Sequence, residues 1–168
     1  MSNDLKYLSA YSPSVQSQVQ QMLAQKTLNK YLLAKYPTSH NISNDKMLRD
    51  YVVTLKNRYL KKSAPLSQIK FDDKIHIINN ALGLHTYVSR VQGNKLKSKN
   101  ELRVASLFKN TPGAFLNMIV VHELAHLKEK DHNKAFYQLC QYMMNDYHQV
   151  ELDLRIYLTQ IDAFGTIY

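Results

Sequence analysis

Apolar residues in the first third of the chain recur every three or four positions, which is the period of an amphipathic helix. One such segment has Ser12 in the cap position and Pro13, a favoured first-turn residue, after it, and should end before Pro37. A second follows a cap at Ser43 or Asn44 and should stop before Pro65. We predict two helices here. The apolar positions that define the first are Val15, Val19, Met22 and Leu23.

In the middle of the chain, apolar and polar residues alternate with a period of two residues. Ile75 and Ile77 alternate with Lys74 and His76, which is typical of a half-buried strand. The segments "LHTYVSRV" and "ELRVASLF" are rich in β-branched residues, and "QGN" between them predicts a turn. We expect three or four strands, mostly antiparallel, because the intervening segments are too short for helical crossovers.

The last third returns to helical spacing. Thr111 and Pro112 stand as the cap and first-turn residue of a helix over "GAFLNMIVVHELAHLK". A helix over "NKAFYQLCQYMMND" should be capped by Asn133, and "HQVELDLRIYLTQI" predicts a third. Helices, then sheet, then helices indicate an α+β fold. We expect a helical segment over residues 1–64 packed with a second segment over residues 65–168.

Composition and charge limit the class of protein. With 168 residues, 45% of them hydrophobic, the chain fits one globular domain. No apolar run is long enough to span a bilayer, the N-terminus lacks the layout of a secretion signal, and the single cysteine excludes an intramolecular disulfide. We therefore expect a cytoplasmic protein with no membrane partner. The net charge of +9 is compatible with nucleotides, nucleic acid or acidic proteins, although no motif supports nucleic acid.

Residues 122–126 form an H-E-x-x-H motif. Four residues turn a helix by about 400°, so His122 and His126 project from one face, about 40° apart, and can reach one metal ion. Glu123 lies about 100° from His122, where it would act as a general base on water. Two core histidines with a salt-bridged glutamate are the alternative. Three ionisable groups on one apolar, buried helix favour the metal.

A catalytic zinc takes three protein ligands and leaves one position open for water. His132 follows the polar stretch "LKEKD", which should end the helix and turn the chain back. We expect His132 to be the third ligand; an exposed histidine near a helix cap is the alternative. The metzincin pattern H-E-x-x-H-x-x-G-x-x-H has glycine where this chain has Glu129, which indicates a different path between the ligands.

With these residues the sequence resembles the YgjP-like metallopeptidase-domain family, bacterial relatives of the small gluzincin-like and SprT-like zinc peptidases. The resemblance rests on "VVHELAHLKEKDHNKAFYQLC" and on "NALGLHTYVSRVQGNKLKSKNELRVASLF" upstream. It implies a zincin-like metallohydrolase domain over residues 65–168. It also implies that His122, His126 and His132 bind zinc and that Glu123 is the general base.

The leading hypothesis is a zinc metallopeptidase that acts on peptides or unfolded protein. Zinc lowers the pKa of its bound water toward about 7, and Glu123 would take the proton as the water attacks. An exposed edge strand, "LHTYVSRV" or "ELRVASLF", could bind an extended peptide. Zincins commonly add a side chain that stabilises the oxyanion. The candidates are Tyr137, Tyr142, Tyr147 and His148, of which His148 is preferred.

Two further hypotheses differ in substrate or in class. Activated water can attack phosphorus, so the same site could belong to a nucleoside triphosphate pyrophosphatase, with Mg²⁺ supplied by the nucleotide. A non-enzymatic module with structural zinc and a nucleic-acid-binding face is the third, and Glu123 argues against it because structural sites take four ligands and no base. The residues that could hold phosphates are Arg90, Lys95, Lys97, Lys99 and Arg103.

Overall fold

The computed structural model describes residues 3–75, 83–92 and 95–168, and the side chains of residues 4–75 and 100–168. Helices and a small sheet alternate within these ranges as expected for an α+β fold, so the predicted class is confirmed. The helices are α1 (Pro13–Ala24), α2 (Leu28–Lys35), α3 (Asp45–Tyr59), α4 (Gly113–Ala125), α5 (Lys134–Met143) and α6 (Tyr147–Phe164), and the strands are β1 (Leu66–Asp72), β2 (Gly83–Gln92) and β3 (Lys95–Ala105).

The three described strands form a mixed sheet in the order β1-β3-β2. β2 and β3 pair antiparallel, whereas β1 and β3 pair parallel. The expectation of a mostly antiparallel sheet is therefore wrong for the β1–β3 pair. β2 runs in the opposite direction to β1, at the edge of the sheet. The next strand, β3, can therefore lie beside β1 and run parallel to it without a helical crossover. The predicted alternation at His76 and Ile77 lies outside the described residues.

This strand order also decides which segment is open to pairing. In β3, residues 101–104 ("ELRV") pair with β1 on one side and with β2 on the other. This segment therefore cannot accept an added strand. β2 contains "LHTYVSRV" and lies at an edge, so this is the segment of the two that offers unpaired backbone groups.

The first predicted helix is interrupted, and the expectation of one continuous helix up to Pro37 is wrong. Lys26, between α1 and α2, has a φ of 56°. Its N–H donates to the carbonyl of Leu23, and the N–H of Thr27 donates to Met22. This pair of hydrogen bonds is a Schellman-type end, which stops a helix through one left-handed residue.

Side-chain caps begin three of the helices as predicted. Ser12 accepts a hydrogen bond from the N–H of Val15, and Asn44 and Asn133 cap α3 and α5 in the same manner. The predicted cap of α4 is wrong by one residue. Pro112 occupies the cap position, and the hydroxyl of Thr111 bonds to backbone carbonyls instead.

The hydrophobic core forms around α4, which contacts α5, α6, β2 and β3. Nearly all of α4 is buried, because its sequence is apolar on every side. Leu28, Leu48 and Val52, from the first 64 residues, are buried in the same core as Leu116 and Leu154. None of the described helices combines the length and the apolar character that crossing a membrane requires.

Candidate metal centre

Three imidazole rings meet at the end of α4. His122 lies in its last turn, His126 is the residue that ends it, and His132 comes just before α5. The Nε2 atom of His132 is 3.2 Å from Nε2 of His122 and 3.1 Å from Nε2 of His126. Among the described residues these three side chains have the spacing of a metal site. The structure thus brings the three predicted ligands together.

Hydrogen bonds among the three imidazoles cannot by themselves satisfy all the Nε2 atoms. A neutral imidazole has one N–H group, so Nε2 of His132 can donate to one of its two neighbours at most. Nδ1 of His126 lies 2.9 Å from the carbonyl oxygen of Glu129, which only accepts, so Nδ1 donates there and the Nε2 lone pair faces the other rings. Tetrahedral zinc separates nitrogen ligands by about 3.3 Å, close to the observed separations. The donor set therefore fits a metal ion.

Burial keeps the inner rings neutral, as metal ligands must be. It lowers the pKa of His122 to about 3, with a further contribution from the neighbouring His126 and His132. Burial likewise lowers the pKa of His126, against the opposing hydrogen bond to Glu129. Both rings can therefore offer a lone pair near neutral pH.

The carboxyl of Glu123 is buried beside this group. The residue is 2% exposed, and its Oε2 has no hydrogen-bond partner among the described residues. Burial raises the pKa of the carboxyl to about 8, because a charged group is disfavoured away from water. A buried carboxyl oxygen without a hydrogen-bond partner is costly unless a ligand, water or cation contacts it. Perturbed carboxyls of this kind cluster at active sites.

Two residues contact the histidines in ways that the sequence did not predict. Phe136, fully buried on α5, has its ring centroid 4.9 Å from His122, 4.6 Å from His126 and 4.9 Å from His132. The hydroxyl of Tyr147 lies 2.8 Å from Nδ1 of His122. Tyr147 is 25 positions away in the chain, so no local spacing could have revealed this contact. Phe136 is only four positions after His132, so this contact depends on the turn that leads into α5.

The candidates for an oxyanion-stabilising group differ in exposure and in the residues that they contact. His148 is exposed at the start of α6, and its ring contacts those of Tyr137 and Tyr147 at 5.4 and 5.5 Å. Tyr147 is buried, with its hydroxyl turned to His122. Tyr142 is 67% exposed and contacts Tyr59.

The basic residues proposed to hold phosphates are described only in part. Arg103 forms an ion pair with Asp72, 3.0 Å away, across the parallel strands β1 and β3. Its charge is therefore already engaged. The side chains of the other four lie outside the described residues: Arg90, Lys95, Lys97 and Lys99.

Comparison with known proteins adds a family and a relative. A family model described as "YgjP-like, metallopeptidase domain" matches residues 14–157. The chain is similar to the UTP pyrophosphatase of Escherichia coli (strain K12), with 53% identity over 161 residues that cover 96% of each chain. No solved structure matches the chain. The range matched by the family model contains the three histidines and Glu123.

Proposed function

The chain belongs to the YgjP-like family and is a metal-dependent hydrolase, and we propose that its substrate is a nucleoside triphosphate such as UTP. One observation carries this proposal: 53% identity over almost the whole length to a UTP pyrophosphatase. The site chemistry is compatible, since metal-activated water can attack phosphorus as well as a carbonyl carbon. We propose zinc as the ion, because three imidazoles with one open position are typical ligands of catalytic zinc.

We propose that His122, His126 and His132 hold the ion and that Glu123 is the base. A bound zinc ion would acidify water and neutralise charge on the phosphate oxygens. Glu123 takes a proton from the attacking water, whose oxygen forms a bond to the α-phosphorus. The bond from that phosphorus to the oxygen bridging to the β-phosphate breaks. The products are a nucleoside monophosphate and pyrophosphate.

A peptidase is the second candidate, because the matching family model is described as a metallopeptidase domain. The same ligands and base would serve it, and the edge strand β2 could pair with an extended substrate. The two candidates differ in substrate and not in machinery. Substrate assays therefore separate them.

The test uses the zinc-loaded protein and its Glu123→Gln variant. We expect UTP to yield UMP and pyrophosphate, with no cleavage of an unfolded protein, and the variant to lose about 10²–10⁴-fold in kcat while retaining zinc. Rapid cleavage of unfolded protein without UTP hydrolysis would favour the peptidase. Full UTP hydrolysis by Glu123→Gln would show that the activity does not depend on this base.

We propose His148 as the group that stabilises the transition state, in keeping with its exposure near the ring of Tyr147. Replacing it by alanine should lower kcat for UTP about a hundredfold, the usual effect of losing one such donor. Zinc content should not change, since His148 is not a proposed ligand. Gln138→Ala, at an exposed position of α5, is the control. An unchanged kcat in His148→Ala would remove His148 from the mechanism.

A further inference from the structure

A basic pocket lies between the end of α3 and the turn that follows α4. We propose that this pocket binds the phosphates of a nucleoside triphosphate that become the leaving pyrophosphate, an inference that rests on the proposed function. Its volume is about 330 Å³, at the lower end of the range typical of ligand sites. The lining residues are Arg58, Tyr59, Leu60, Lys61, Lys62, Ser63 and Lys128.

All the charged residues that line the pocket are positive. Four of its seven lining residues are cationic, and none of the seven has a carboxylate. Within the part of the chain that the structure describes, none of these four cations forms an ion pair with a carboxylate. Cations gathered in one concavity repel one another and attract an anion. A polyphosphate supplies the missing charge, and lysine and arginine are its usual partners.

The position of some of these cations at the end of α3 has an ordinary explanation. Cations are favoured in the last turn of a helix because the carbonyl dipoles concentrate negative charge there. This accounts for Arg58. It does not account for Lys128, which comes from a turn that is 70 positions later in the chain and adds a like charge to the cluster.

The backbone on both sides of the pocket is held in place. The buried ammonium of Lys56 donates to the carbonyl of Ser63, and the N–H of Ser63 donates to Leu60, which fixes the turn containing Lys61 and Lys62. On the other side, the N–H groups of residues 127–129 continue the hydrogen bonds of α4. The site is thus formed without the ligand.

Its location connects it with the metal centre. Lys128 is two residues beyond His126, and its N–H bonds to the carbonyl of Ala125 in the last turn of α4. The Cα atom of Lys128 therefore lies within about 7 Å of the Cα atom of His126, since two residues of chain span at most about 3.6 Å each. On this inference, the α-phosphate lies at the metal centre and the β- and γ-phosphates lie in the pocket.

An aromatic pair marks the rim of the pocket. The ring of Tyr59 meets the ring of Tyr142 edge to face, with centroids 5.5 Å apart, and the guanidinium of Arg58 lies 5.2 Å from the Tyr59 ring. Tyr142 is 67% exposed. This contact links one residue at the end of α3 with one residue of α5, the helix that follows His132.

The experiment compares two double variants of equal charge. Lys61→Ala/Lys128→Ala removes two cations from the pocket, whereas Lys46→Ala/Arg49→Ala removes two exposed cations from the opposite end of α3. Binding of inorganic pyrophosphate with Mg²⁺ is measured by calorimetry on zinc-loaded Glu123→Gln protein, and UTP kinetics on the active protein. We expect the pocket variant to bind pyrophosphate at least about tenfold more weakly and to show a similar loss in kcat/KM. The control variant should lose less than about threefold, the effect of net charge alone.

Each outcome separates this inference from the proposed function. Equal losses in both double variants, or normal UTP kinetics in the pocket variant, would overturn the pocket while the pyrophosphatase stands. If the wild type does not hydrolyse UTP but pyrophosphate binding still depends on Lys61 and Lys128, the proposed function fails and the anion site is supported. Metal content and thermal melting of each variant confirm that the fold is retained.

Discussion

At the scale of residues, the imidazoles are oriented by groups outside the ligand set. Nδ1 of His126 donates to the carbonyl oxygen of Glu129, and Nδ1 of His122 contacts the hydroxyl of Tyr147. Such partners fix the ring and the tautomer, so that Nε2 would face a bound ion. Burial and the nearby carboxylate of Glu151 hold the pKa of Tyr147 well above its usual range. Its hydroxyl therefore keeps its proton at all ordinary pH values.

Replacing Tyr147 by phenylalanine tests this orientation. The ring would still fill its buried position, but Nδ1 of His122 would lose its partner, so zinc affinity should fall about 10–100-fold. Competition with a zinc chelator measures that affinity. Tyr157→Phe removes another buried hydroxyl from α6 without a contact to the histidines, and should leave zinc affinity unchanged. Equal affinities in the two variants would exclude an orienting role for Tyr147.

At the scale of elements, the three imidazoles are positioned in different ways by α4 and by the turn before α5. The helical spacing within α4 brings His122 and His126 to one face, whatever surrounds the helix. His132 depends on the turn before α5, where Asn133 caps the helix and its amide donates to the carboxylate of Glu129. Among the described residues only Lys26 and Gly165 have positive φ, so this turn needs no glycine at position 129. The departure from the metzincin pattern is thereby explained.

Removing the cap of α5 should affect both stability and the metal. Asn133→Ala should lower the free energy of unfolding by about 1 kcal/mol, as for other N-caps, and weaken zinc binding because His132 is no longer held. Asn44→Ala is a matched control, since both side chains accept a backbone N–H at 2.9 Å. It should show the same loss of stability in urea with normal zinc affinity. Weakened zinc binding in both variants would attribute the effect to general destabilisation.

At the scale of the whole molecule, one buried carboxylate joins the two ends of the chain. Asp153 of α6 is fully buried and accepts hydrogen bonds from the hydroxyls of Tyr31 and Tyr36, at 2.7 and 2.6 Å. Lys35 lies 2.7 Å from the same carboxylate. We propose that residues 1–64 and 65–168 unfold as one unit, because this network and the shared core connect them.

Asp153→Asn should destabilise the protein by about 2–3 kcal/mol. This is below the usual cost of breaking a buried pair, because Lys35 is 39% exposed and can turn to water. Asp162 is also on α6 and forms an ion pair with Lys6, but its carboxylate is 40% exposed. Asp162→Asn breaks this pair and should lower the free energy of unfolding by less than about 1 kcal/mol. Urea unfolding followed by circular dichroism and tyrosine fluorescence gives both values. Two separate transitions in the wild type would contradict a single unit.

The sequence by itself determined the features that depend on neighbours along the chain. The H-E-x-x-H spacing put two imidazoles on one helical face, and the caps at Ser12, Asn44 and Asn133 were read from residue type and position. These follow from backbone geometry, which is local. The α+β class followed from periodicity in the same way.

Only the tertiary structure decided what distant segments do together. The parallel β1–β3 pair depends on the antiparallel course of β2, and the hydroxyl of Tyr147 contacts His122 from 25 positions away. Lys128, which follows α4, lines the same pocket as Lys61, which follows α3. No local period encodes such contacts, because they arise when the apolar faces of separate elements pack in one core. The motif thus predicted the chemistry, and packing brought together the orienting groups and the basic pocket.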